Sequence, residues 1–183
     1  MSSAIPQLRM RLTQFDRLSA PAAPPGYGLR RYRPGDEDAW IALLATGNFG
    51  TWDRARLDRM LAGERAPLPR AGIFFATHQD QPVGAACTFL YDDQRQDAAE
   101  LGWVVVHPGH RRRGLGLQVC QATLGFVRDL GYESAFLLTE DFRLPAIKLY
   151  LRLGFEPEMI DPSHPAWWAA LRHSVSADDR SGP

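Results

Sequence analysis

The run LGWVVV (101–106) ends in His-Pro-Gly-His, meets three consecutive arginines, and passes through two glycines into the stretch LGLQVCQATLGFVRDL (115–130). A near-continuous apolar run ended by a turn reads as a buried strand. The stretch after it sets Leu115, Val119, Leu124, Val127 and Leu130 near helical spacing, with Gly131 as its stop. A strand therefore hands over to a helix across Arg111, Arg112, Arg113, Gly114, Leu115 and Gly116. A helix N-terminus exposes N–H groups with no intrahelical partner, and the macrodipole adds partial positive charge there. Glycine leaves room for an approaching anion and permits unusual backbone angles. The junction is a candidate phosphate site. It matches neither G-x-x-x-x-G-K-[ST] nor the full G-x-G-x-x-G. Taken alone, RRRGLG reads equally as a solvated basic loop.

The rest of the chain supplies a mixed α/β set. Strands are expected at 27–33, 71–78, 82–91, 98–106, 134–139 and 155–160, and the turn HQDQ makes the second and third a hairpin. Helices are expected from Asp36, which serves as a cap, to Gly47, over 52–63, over 144–154, and over PAWWAALR near the C-terminus. The order is not a regular alternation of strand and helix, which disfavours a Rossmann domain. The Pro/Ala-rich residues 1–25 read as a flexible arm, 26–172 as one domain, and 173–183 as a disordered tail.

Composition removes several function classes. Lys+Arg and Asp+Glu are both 21, and the resulting net charge of zero argues against a nucleic-acid binder. Cys87 and Cys120 lie in apolar surroundings and read as buried free thiols. His107 and His110 lack cysteine or carboxylate companions at ligand spacing, so no metal is expected. No segment reaches the ~20 apolar residues of a membrane span, and no apolar signal core opens the chain, so a cytoplasmic location is expected.

Residues Glu100 to Leu117 resemble motif A of the GNAT superfamily, the acyl-CoA-dependent N-acetyltransferases. Arg111, Gly114 and Gly116 match its Arg/Gln-x-x-Gly-x-Gly/Ala pattern. Downstream, AIKLYLRLGF (146–155) is similar to a second hallmark, Ala-x-x-Leu-Tyr-x-x-x-Gly-Phe. The motifs stand one helix and one strand apart, as in that family, and the likeness covers residues 28–160. One departure is Arg143, which occupies a position where the family often has Asn. The resemblance implies a single-domain GNAT fold, a mostly antiparallel splayed sheet flanked by helices.

It also implies acetyl-CoA as acyl donor and an amine as acceptor, attacked directly without a metal. The turn Arg111–Gly116 would carry the pyrophosphate through backbone amides. Val104, Val105 and Val106 would present a strand edge to the pantetheine arm, and the Val104 N–H would face the oxyanion. Arg143 is a candidate contact to a coenzyme phosphate. Tyr150 would protonate the leaving thiolate, although its spacing alone also fits a core aromatic. Glu100 would act as base toward the amine, and it reads equally as a solvent-facing residue at a strand end. Glu140 and Asp141 are further candidates for the base.

The acceptor pocket is expected among Phe49, Trp52, Tyr91, Trp167 and Trp168, which favours an amphipathic or aromatic amine, small molecule or peptide. An alternative is a non-catalytic CoA-binding module of the same fold. Homodimers are frequent in the family, but no feature of this sequence bears on them.

Overall fold

A computed structural model describes residues 7–91 and 98–178. The strands are β1 (Leu8–Leu12), β2 (Tyr27–Arg31), β3 (Phe74–His78), β4 (Gln81–Leu90), β5 (Ala98–Val106), β6 (Ser134–Thr139) and β7 (Glu156–Glu158). The α-helices are α1 (Glu37–Ala45), α2 (Arg54–Leu61), α3 (Leu115–Asp129), α4 (Leu144–Arg152) and α5 (His164–Asp178). The seven strands form one sheet in the order β2-β3-β4-β5-β6-β1-β7. Neighbours are antiparallel except β5 and β6, which run parallel and are joined through α3.

Alternation along the strands sends neighbouring side chains to opposite faces. Phe75, Ala85 and Cys87 join Trp40 and Leu44 of α1 and Leu57 of α2 in one core. Ala76 and Ala86, their neighbours in the chain, join Val119 and Leu124 of α3, Ile147 of α4 and Trp168 of α5 in the other. Helices therefore cover both faces. The cap of α2 is Asp53, whose carboxylate accepts from Arg56 N at 2.7 Å. Asp36, expected to cap α1, turns instead to the Arg33 N–H and the Arg30 guanidinium.

The N-terminal segment departs from expectation. Residues 8–12, expected within a flexible arm, form β1 between β6 and β7. Leu8, Met10 and Leu12 are at most 1% exposed, and each such burial is worth roughly 1.5–3 kcal/mol. The pattern LRMRL alternates apolar and basic residues as a strand should. It is short, and the Pro/Ala-rich stretch behind it has the composition of a linker. At the other end α5 runs to Asp178, past the expected start of a tail at 173. Residues 1–6 of the arm and 179–183 of the tail lie outside the described residues.

The pairing of β5 with β6 is short. Only Ala98, Ala99 and Glu100 find partners, in Ser134, Ala135 and Phe136. Beyond Glu100 the strands part: β5 continues to Val106 along β4, and β6 continues to Thr139 along β1. The sheet is splayed at this point.

Candidate functional site

The parting strands enclose a cavity of about 290 Å³. Glu100, Trp103 and Val104 line it from β5, Thr139 from β6, and Tyr150 from α4. Glu100 is the last residue of β5 to pair on both sides, with Phe89 of β4 and Phe136 of β6. It sits at the apex of the cleft and is 4% exposed.

Both carboxylate oxygens of Glu100 are engaged. Arg65 Nη2 donates to Oε1 at 2.8 Å and to Oε2 at 2.7 Å, and the Tyr91 hydroxyl donates to Oε2. Burial and then the hydrogen bond to Glu100 push the Tyr91 phenol up to about 12. An ion-paired carboxylate that already accepts a phenolic proton is poorly placed to take another from an amine. The geometry favours a holding role for Glu100.

Tyr150 is 7% exposed, packs 6.0 Å from Phe155, and belongs to the core while lining the cavity. Burial pushes its phenol far above the ordinary range, so the proton stays in place through neutral pH. One position thus serves the core and also reaches the cavity wall.

At the far end of β5 the chain turns through Pro108–His110 into the arginines. His110 Nδ1 lies 3.0 Å from the Tyr27 hydroxyl, which ties the turn to β2. Arg111 folds back, and its Nε donates to Val106 O at 3.1 Å. Arg112 adopts φ +59 and Gly114 adopts φ +80 at the cap of α3. A Cβ built on Gly114 meets nothing within 4 Å, so the space before the helix N-terminus is open. The first N–H groups of α3 have no intrahelical acceptor. Open space, free amides and three exposed arginines suit an oxyanion group such as a diphosphate. Leu115 points inward and is 1% exposed, leaving only its backbone for such a contact. Gly116 also packs closely: a Cβ there would stand 3.2 Å from Leu149.

The remaining expected residues divide. Val104 and Val106 are half-buried on the splayed stretch of β5, and Val105 is buried in the core with α1 and α2. Arg143 lies at the cleft, where each guanidinium nitrogen has a partner. Nε pairs with Glu140, Nη1 donates to Gly47 O at 2.8 Å, and Nη2 donates to Asn48 O at 3.1 Å. Its guanidinium also lies 4.5 Å over the Phe49 ring. It straps the α1–α2 loop, and these contacts engage all three of its nitrogens. Glu140 lines the cavity, and Asp141 is exposed outside the lining. Phe49 lines the cavity, whereas Trp168 is buried in the core beneath α5 and Trp167 packs against it. Among the described residues, no group of three or more His, Cys, Asp or Glu is placed to hold a metal. No described helix is long and apolar enough to cross a membrane.

A family model described as the acetyltransferase (GNAT) family matches residues 37–155. The chain belongs to this GNAT family.

Among curated proteins, the GNAT chain is 34% identical to a mycothiol acetyltransferase of Sanguibacter keddieii over 78% of its own length and 48% of that protein's. It is 31% identical to a mycothiol acetyltransferase of Thermobispora bispora over 84% of its length and 54% of that protein's. The chain thus spans about half the length of the curated relatives it matches. Among solved structures, a GCN5-related N-acetyltransferase from Sphaerobacter thermophilus superposes with a TM-score of 0.65 at 22% identity. That match covers 84% of this chain and 50% of the other. The ribosomal-protein-S18-alanine N-acetyltransferase of Escherichia coli superposes with a TM-score of 0.59 at 22% identity, covering 71% of this chain and 77% of that one. These two show the shared fold.

The GNAT match begins at α1 and ends before β7, so β1, β2, β7 and α5 lie outside it. Several cavity residues of this GNAT chain carried no functional signal in the sequence, among them Gln7, Asn48, Arg65, Trp103 and Thr139. Arg65 stands 35 residues from Glu100 in a loop after α2, and only the folded sheet brings them together.

Proposed function

We propose that this chain transfers an acetyl group from acetyl-CoA to an amine. The observation that carries the reading is the cleft where β5 leaves β6, with Tyr150 on its wall and the open, arginine-flanked N-terminus of α3 at the end of β5. The backbone amides of the Gly114 turn would hold the diphosphate of the donor, with Arg112 and Arg113 adding charge. The splayed stretch Val104–Val106 would lie along its pantetheine arm. The GNAT membership and the relatives named as mycothiol acetyltransferases support acetyl transfer.

The neutral amine attacks the thioester carbonyl carbon. A C–N bond forms, the C–S bond breaks, and the thiolate leaves with its electron pair. The Val104 N–H, on the stretch of β5 that lines the cavity, would face the developing oxyanion, a contact worth ~2.7–4 kcal/mol in other acyl-transfer sites. The Tyr150 phenol gives the departing sulfur its proton, the acylated nitrogen sheds its extra proton to water, and the phenolate regains one from water. The dry surroundings that raise the phenol also raise the basicity of a thiolate held there, which keeps that transfer feasible. An ammonium must first lose a proton, and water at the mouth takes it, because Glu100 and Glu140 are both paired.

The test is incubation with acetyl-CoA and a panel of amines, following release of free thiol. Tyr150→Phe should lower kcat about 10²-fold or more while calorimetry shows an unchanged affinity for acetyl-CoA. Failure of the parent chain to bind acetyl-CoA by calorimetry would overturn the reading.

A further inference from the structure

A second groove, of about 430 Å³, opens beside the cleft. Its floor is the pair Trp52 and Trp103, whose rings meet edge to face at 4.8 Å. Arg56, Arg59 and Met60 border it from one face of α2. Arg65 and Trp103 line both this groove and the cleft, so the two spaces adjoin.

Trp103 is placed there by a backbone irregularity. It adopts φ +50 within β5, where the register against β4 shifts between Ala85 and Cys87. A bulge of this kind re-aims a side chain, and bulges recur beside active sites. A left-handed angle at a bulky non-glycine residue is uncommon and strained. Neither Trp52 nor Trp103 has a hydrogen-bond partner for its indole N–H among the described residues.

The charges in the groove do not balance. Arg65 is matched by Glu100. Arg59 faces Glu64 at 3.1 Å, with both side chains more than half exposed, a pair that a ligand readily exchanges. Among the described residues no carboxylate pairs with Arg56. Its Nη1 donates to Thr51 O, and its guanidinium lies 4.1 Å over the Trp52 ring. The nearby Asp53 carboxylate accepts from Arg56 N and is committed to capping α2. A guanidinium resting on an indole, with most of its donors unspent, is shaped for bidentate contact with an oxyanion, carboxylate or phosphate.

We propose that this groove selects an amine acceptor bearing an anionic group, a carboxylate or a phosphate monoester, which Arg56 and Arg59 hold while the amine reaches the cleft. The inference rests on the acetyl-transfer reading of the cleft. A polycationic amine is disfavoured by the same two arginines.

The test compares n-butylamine, 4-aminobutyrate and 3-aminopropyl phosphate as acceptors for the full chain and for Arg56→Ala/Arg59→Ala. The expected result is a kcat/KM at least tenfold higher for one or both anionic amines, a ratio that falls toward one in the double variant. The carboxylate and phosphate arms separate the two kinds of anion. Equal rates for charged and neutral amines, unaltered by the double substitution, overturn the proposal. Quenching of tryptophan fluorescence by 4-aminobutyrate and by inorganic phosphate gives a second readout. If no amine is acetylated but quenching saturates and depends on the arginines, the acetyl-transfer reading falls and the anion site stands. If no quenching saturates, the anion site falls. Arg56→Lys guards against misfolding: it keeps the charge, loses the fork, and should weaken carboxylate quenching severalfold.

Discussion

Arg143 Nη1 donates to Gly47 O at 2.8 Å, joining residues 96 positions apart across the mouth of the cleft. Nη2 reaches Asn48 O, and the ring of Phe49 lies beneath the guanidinium. One side chain therefore fixes the loop that walls the cavity against the start of α4. Arg143→Ala should release that loop and lower kcat/KM for the amine by about 10–100-fold, equivalent to ~1.4–2.7 kcal/mol. Affinity for acetyl-CoA should hold, since the guanidinium is committed to the loop. Steady-state kinetics with calorimetry separate the two effects. A loss confined to coenzyme affinity would return Arg143 to the phosphate role.

Glu100 offers a test of who takes the proton. Its oxygens are filled by Arg65 and Tyr91. Glu100→Gln should destabilise the chain by about 1–3 kcal/mol, the value of charged hydrogen bonds lost in a buried place. The acid limb of the pH–rate profile should survive in the variant. Disappearance of that limb, with stability unchanged, would make Glu100 the base after all.

Stability should depend on acid through Asp36. Burial works to raise this carboxyl, but hydrogen bonds from Arg30 and the Arg33 N–H, with the charges of both arginines, outweigh it and hold it below its ordinary value of 3.8. A carboxyl lowered in the folded chain adds stability that is complete above the ordinary value and fades as pH falls through the folded one. Asp36→Asn should cost about 1 kcal/mol at pH 7. The gap to the parent should narrow at pH 3. Urea unfolding at both pH values measures it, and a gap independent of pH would contradict the assignment.

The N-terminal strand should be structural. Met10 is 0% exposed between β6 and β7. Met10→Ala should cost about 2–5 kcal/mol, as large-to-small core changes do, and the urea midpoint should fall with it. A cost below ~0.5 kcal/mol, the usual limit for a surface change, would show the segment to be dispensable.

Local patterns carried most of the elements. Strand alternation, the glycine after α3 and the Asp53–Gly63 stretch around α2 are properties of neighbouring residues, and the elements formed where those patterns placed them. The β1 strand was hidden because five residues of alternation weigh little against the Pro/Ala-rich chain that follows. Its slot exists only once β6 and β7 are in place. Asp36 failed as a cap for a similar reason: Arg30, six residues earlier, offers a stronger partner once β2 brings it close.

From the sequence alone follow the family, the helix opening at Gly114 and the tyrosine on α4, because each rests on a short motif with local geometry. The tertiary structure decided what the charged side chains do. Glu100, Arg65 and Arg143 are assigned by partners tens of residues away, and a charge takes its role from whichever opposite charge or carbonyl the fold sets within ~3 Å. No spacing along the chain encodes that distance.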